Sequence, residues 1–502
     1  MKKVLFACIL VAILASCITE APEETYNLVI PEYVGKVNTY PWPEGMDRYA
    51  EITMTADGNN IDLYSVRANN TYISPGPGVA QTIQDKCDQI PVGMFDMDGE
   101  VFIAITLPVN VENVIIRPLH HEITPQVAGN KIGFTITRPG QYSVEYNNTN
   151  RPVNTVLIFA NIMEDFSAIE SDPDTIVYDA GIHEDDFGRV YQVANGKTMY
   201  LKPGAVIRGA VEMWNDTKIV GRGIIDGSHL EDHIRGIDGV CLPIETFNRS
   251  NIEIKGITIF DPNAWAIQLQ NTDNVLIDNL KIVSSRCNSD GISIQSSNNI
   301  TIQNSFLRTW DDNVVIKNYG QRDSYNITVK NSIMWTDLAQ TMEIGVETNK
   351  GGKSDPKIYN VLFEDILILH AMHKAPISIH NGDNADIYDI IFRNITIENY
   401  QSGPGGGLQT DGWNYIIDIT NLTGGAMGGS SAWTTVSERG NIRDVLIENI
   451  RILSGKMPGA RFNSREGGRI YDVVIKDIYH GATKLDFSDT VTCNNTTITF
   501  ER

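Results

Sequence analysis

The feature that most constrains this chain is a short run that keeps returning: a polar turn residue, alternating β-branched residues, an Asn or Asp, then more alternation. Copies read NIEIKGITIF from Asn251, NVLIDNLKIV from Asn274, NITIQNSFLR from Asn299, NITVKNSIMW from Asn326, NVLFEDILIL from Asn360, DIIFRNITIE from Asp389, DVLIENIRIL from Asp444 and DVVIKDIYHG from Asp472. The first five start 23, 25, 27 and 34 residues apart. A period of roughly 20 to 30 residues made of short strands describes one coil of a parallel β-helix, which buries its inner face only by stacking on its neighbours. A propeller blade needs about 40 to 50 residues, and the regular leucines of a leucine-rich repeat are missing. The expected fold is therefore all-β, with a right-handed parallel β-helix over residues 176–502.

Upstream the texture changes. Strands such as Val101–Ile105, Val114–Ile116 and Lys131–Ile136 alternate between Pro and Gly turns, which predicts an antiparallel β-sandwich over residues 26–163. Glu164 to Thr175, rich in Asp, Ser and Pro, is the expected linker. The sandwich is read first as a packing or capping element and second as a sugar-binding one.

Lys2 and Lys3 precede an apolar run, Val4 to Ala15, that ends in Leu14-Ala15-Ser16-Cys17. The run is shorter than the ~20 residues that span a bilayer. It reads as a lipoprotein signal peptide over residues 1–17 with Cys17 as the lipidated residue. The expectation is a bacterial cell-envelope protein held to a membrane by its lipid and facing the periplasm or the cell exterior. A net charge of -22 opposes binding to nucleic acid. The six cysteines show no CxxC spacing, so neither a disulfide scaffold nor a metal site is expected, and no cofactor is implied.

A second strand recurs in each coil: AWAIQLQ from Ala264, DGISIQ from Asp290, DNVVIK from Asp312, QTMEIG from Gln340 and KAPISIH from Lys374. Aligning Ile292, Val314, Met342 and Ile377 as one inward column, and Ile294, Ile316, Ile344 and Ile379 as the next, sets a register. It places Asp290 directly beneath Asp312, with Asp311 at the lip of the strand. At a coil spacing of about 4.8 Å three carboxyls cannot all ionise at their ordinary pKa, so one holds a proton while another stays charged. Glycosidic cleavage needs such an acid and base. The same face is expected to carry Lys317 and Glu343, with Gln340 above Asp312, His380 above the Lys317 column, and Glu347 and Asp383 in the loops. Trp265 and Trp310 stand where they can stack on sugar rings or pack against neighbouring loops. Plainer readings exist: Asp290-Gly291 alone is a turn dipeptide, Lys317 and Glu343 can be a cross-coil ion pair, and the recurring Asn residues form a structural ladder. Long insertions at 401–413 and 421–435 are expected to shape one end of the groove.

The sequence NSDG at Asn288 to Gly291, the pair Asp311-Asp312 and Ile344-Gly345 resemble the motif series of the polygalacturonase family. A sandwich ahead of a β-helix is similar to the layout of the related dextranases and isopullulanases. The resemblance implies an inverting hydrolase in which Asp290 and Asp312 activate water and Asp311 protonates the leaving oxygen. Two motifs depart from it. Gln340-Thr341 stands in place of the family's GHG, and Ser378-Ile379-His380 in place of its RIK, so the cations that meet a uronate carboxylate are missing there. With Glu343 adding negative charge, a neutral sugar is expected at the cleavage point of a polysaccharide or oligosaccharide. The alternatives are a hydrolase of a uronic-acid polymer, a β-helical polysaccharide lyase, and a non-enzymatic carbohydrate-binding surface protein.

Overall fold

A computed structural model describes residues 27–69, 87–149, 152–184, 190–230, 240–402, 414–421, 439–464, 467–487, 491–494 and 496–501. Cys17 and most of the 401–413 and 421–435 insertions lie outside the described residues. The repeats form a parallel β-helix. Each middle coil gives one strand to an 11-stranded sheet and two to a 19-stranded sheet. The coil around residue 270, for example, runs through Ile267–Gln270, Asp273–Asp278 and Lys281–Val283. In later coils the last two fuse into long strands such as Lys357–Ala371.

The inward columns are those that alternation predicts. Ile292 pairs with Val314, Val314 with Met342 and Met342 with Ile377, while Ile294, Ile316, Ile344 and Ile379 form the adjacent stack. All eight are fully buried. Each such side chain contributes roughly 1.5 to 3 kcal/mol against exposure, and only stacking on the neighbouring coil realises it.

Two sheets share a separate core ahead of the helix. One holds Lys36–Thr39, Asp88–Asp98, Thr155–Ile162, Gly140–Tyr146 and Val114–Arg117, with Leu63–Ala68 paired to Asp88–Asp98; the other holds Asn59–Ile61, Thr53–Ala56, Val101–Thr106, Lys131–Ile136 and Gln126–Ala128. Their pairings are antiparallel except that Thr155–Ile162 runs parallel to Asp88–Asp98. Val156 and Ile158 face the sandwich core, whereas Leu157 and Phe159 face the β-helix, where they meet Val206, Phe260, Val283, Phe306 and Trp335. The sandwich thus lies along the flank of the coils, on the outer surface of the 19-stranded sheet. The linker segment holds one helical turn, Ser167–Glu170, and Glu164 ahead of it binds Arg222 and Lys255.

Candidate active site

The outward face of the 11-stranded sheet gathers the acidic residues. Gly291 donates its N–H to the Asp312 carbonyl at 2.7 Å, locking the Asp290 coil beneath the Asp311-Asp312 coil. A Cβ on Gly291 would stand 2.4 Å from the Asn313 carbonyl oxygen, so only glycine permits this approach. The Asp311-Asp312 turn is stapled by fully buried Asn313, which donates to Leu307 O, Thr309 Oγ1 and Trp335 O and accepts from Thr336 Oγ1. Asp311 Oδ1 accepts from the Asp312 N–H at 3.1 Å, and Asp312 Oδ1 from the Gln340 N–H at 2.9 Å. Asp290 is 3 % exposed, while Asp311 and Asp312 keep part of their surface in solvent.

Burial pushes the Asp290 carboxyl up to about 7; Asp311 and Glu347 add to the rise, and Lys317 and a hydrogen bond from Ser293 oppose it. Asp312 is raised well above the carboxylate range, first by burial and then by Asp311, Asp290 and Glu343. Lys317 Nζ lies 3.6 Å from Asp290 Oδ2 and 3.5 Å from Glu347 Oε2, and these carboxylates hold it protonated against burial. Tyr319 donates to Glu347 at 3.1 Å, and the half-buried Trp265 ring lies 5.0 Å from Lys317 Nζ and edge-on to Tyr319. The patch therefore combines a trapped proton, ionisable oxygens, a cation and an aromatic wall.

Other predicted site residues fall elsewhere or in other roles. Lys317 and Glu343 do not form the cross-coil pair: Glu343 binds His380 instead, at 2.8 Å. His380 is fully buried between Glu343 and Asp418. The side chain of Asp383 accepts from the N–H groups of Thr348 and Asn349 and so caps that loop. Gln340 is 2 % exposed and meets Asp312 through its backbone. Trp310 is 3 % exposed and packs with Leu338 and Met372 in the cluster between sandwich and helix, so an anchoring contact takes the place of an open stacking face.

Several residues at the patch escape a reading by alternation. Lys374 draws both Asp312 and Glu343 downward, yet it sits ahead of its strand, where no periodicity fixes its direction. Tyr319 follows the end of its strand, and Asn313 points into the coil turn. The only sequence signal for Asn313 is a polar residue where an apolar one would fit.

Residues 210–405 match the model of Glycosyl hydrolases family 28. A probable endopolygalacturonase D of Neosartorya fischeri is 24% identical over 301 residues, covering 54% of this chain and 58% of that protein. A dextranase of Arthrobacter sp. (strain CB-8) is 26% identical over 166 residues, covering 28% of this chain and 25% of that one. The chain thus spans less than two thirds of the length of these relatives. Dex49A from Penicillium minioluteum shares the fold, with a TM-score of 0.57 at 13% identity over 92% of this chain and 96% of that one.

Proposed function

From the premise that residues 210–405 carry a polygalacturonase-like glycoside hydrolase domain, we propose that this protein hydrolyses glycosidic bonds in a polysaccharide or oligosaccharide with inversion at the anomeric carbon. The observation that carries the reading is the stacking of Asp290 under the Asp311-Asp312 turn beside Lys317. Asp311, at the lip of the patch, protonates the leaving oxygen. Asp290 and Asp312 take the proton of the attacking water. Interacting carboxyls exchange protons as a unit, so the cluster keeps one proton near neutral pH while presenting a charged oxygen. As Asp290 and Asp312 must both be ionised, the acid limb of kcat/KM should lie at about 7 or higher, with a fall of at least about tenfold per pH unit below it.

The sugar at the cleavage point is neutral. Glu343 lies beside Asp312, and Ser378 and His380 stand in the next coil, where a uronate would need a two-pronged cation. A uronic polymer is the second reading, favoured by Lys317 and Lys374 close to the patch. Assaying neutral glucans and polygalacturonate, with the product anomer followed by NMR, separates the two. Asp311→Asn should lower turnover by roughly 10² to 10⁴; undiminished turnover would remove Asp311 as the acid, and an unsaturated ultraviolet-absorbing product would replace hydrolysis by elimination. The protein acts at the cell envelope, anchored through Cys17. Cys17→Ala should move it from the membrane to the soluble fraction; a membrane-bound variant would rule the anchor out.

A further inference from the structure

We propose that Glu343 is the specificity residue that takes a hydroxyl of a neutral sugar beside the carboxylate patch, and that His380, itself flanked by Asp418, is the positioning residue that orients it. The proposal rests on the hydrolase reading above. Glu343, Ser378, Asp418 and Arg461 form one outward column over four successive coils. Ser378 is the small member, its hydroxyl turned back to Ala375 O at 3.0 Å. The imidazole of His380, from the adjacent column, enters the space it leaves. Nδ1 lies 2.8 Å from Glu343 Oε1 and Nε2 3.1 Å from Asp418 Oδ2. Nδ1 is hydrogen-bonded to Glu343, and the Asp418 carboxylate beside Nε2, though it makes no hydrogen bond there, favours the imidazolium by its charge. Arg461 closes the chain on Asp418 from above, Nε to Oδ1 at 2.7 Å. Gly345 leaves the room this needs: a Cβ there would meet the His380 carbonyl oxygen at 2.0 Å and Glu343 Oε1 at 3.2 Å.

The arrangement turns one oxygen of Glu343 loose. Oε1 is tied to His380, whereas Oε2 is buried and has no hydrogen-bond partner among the described residues. An unpaired buried carboxylate oxygen is unfavourable, and an arriving hydroxyl donor relieves it. Glu343 stands in the coil next to that of Asp312, paired in register with Val315, and its charge reaches the Asp312 carboxyl. A uronate there would set two carboxylates against each other, while a hydroxyl would donate to Oε2. Despite burial, Glu343 and Asp418 hold His380 protonated up to about 10, and Asp418 falls to about 2 against its own burial, under His380 and Arg461. His380 and Asp418 therefore stay charged through the neutral range, while burial, with Asp418, raises the Glu343 carboxyl against the pull of His380.

The test compares full-length wild type, Glu343→Gln, His380→Gln and Asp418→Asn on neutral glucan oligosaccharides and on polygalacturonate, with circular dichroism and melting confirming the fold. Glu343→Gln should raise KM on the neutral substrate about tenfold with little change in kcat, and lower the neutral-to-uronic ratio of kcat/KM by a similar factor. In His380→Gln the carboxyl of Glu343 loses its counter-charge, so KM for the neutral substrate should rise as pH falls from 8 to 5, a dependence the wild type lacks. A merely structural role would lower activity on both substrates alike. If Glu343→Gln does not fold, the pH dependence of His380→Gln and Asp418→Asn decides. An unchanged substrate ratio and flat KM in folded variants would overturn the proposal, as would wild type that prefers polygalacturonate. Asp311→Asn separates the two readings: if it abolishes turnover while the ratio stays put, only this inference fails.

Discussion

At Asn251, Asn274, Asn299, Asn326 and Asn360 the backbone is left-handed, with φ of 62°, 56°, 55°, 54° and 53°. Asn tolerates this region better than other residues with a Cβ, and its side chain can also bond along the stack. From Asn274 onward each amide donates to the Asn one coil below, at 3.0, 3.1, 2.9 and 2.6 Å. The ladder was legible because it repeats with the coil. Asn299→Ala loses both the backbone tolerance and the rung, for about 1 to 3 kcal/mol in urea unfolding, whereas Asn299→Gly loses mainly the rung. At the patch, Lys317 lowers the Asp290 carboxyl, so Lys317→Met should let it rise and move the acid limb of the kcat/KM profile to higher pH. A limb that stays or moves downward would detach Asp290 from the rate.

Among elements, the strand that follows the Asp290-Gly291 turn shows how a coil delivers its chemistry. Ile292 and Ile294 bury inward and fix the height of Asp290, two residues before the first of them. The Gly291 contact with Asn313 O then sets the spacing to the next coil. Gly291→Ala must push the two coils apart, and a displacement approaching 1 Å costs up to about 10² in rate without touching a carboxylate. Normal activity in a folded Gly291→Ala protein would show that the catalytic geometry does not depend on this spacing.

On the scale of the whole molecule, the sandwich reaches the loops of the candidate site from the flank. Trp310, next to Asp311, is clamped in the interdomain cluster, and Cys87 contacts Ser285 O in the segment leading to Asp290. Trp310→Ala should therefore lower kcat by tenfold or more while leaving the carboxylates intact. Farther along, Arg117 joins Glu145 at 3.1 Å and Glu398 at 2.7 Å, and His370 Nε2 lies 2.7 Å from Glu145 Oε1. Asn399 Nδ2 donates to the other nitrogen of His370, so this imidazole is neutral with its proton on Nε2. Burial lowers His370 to about 4, against the pull of Glu145. The unfolded chain thus binds more protons between pH 6.5 and 4, and stability should fall over that window by on the order of 3 kcal/mol. Glu145, held near 2 by His370 and Arg117 against burial, extends the loss as pH falls further. Thermal melting of His370→Gln should be flatter between pH 6.5 and 4; an unaltered slope would place the acid sensitivity elsewhere.

The sequence by itself determined the coil, its register and the meeting of Asp290 with the Asp311-Asp312 turn. In a solenoid each residue's partners lie one coil away, and period-two alternation records which side it faces. Tertiary structure alone decided that His380 is wedged between two carboxylates, that Asp383 caps a loop, that Trp310 is an anchor and that the sandwich lies on the flank. Those outcomes depend on the space a small neighbour such as Ser378 leaves open, or on partners as remote as Glu145 and His370, 225 residues apart. No local repeat encodes either.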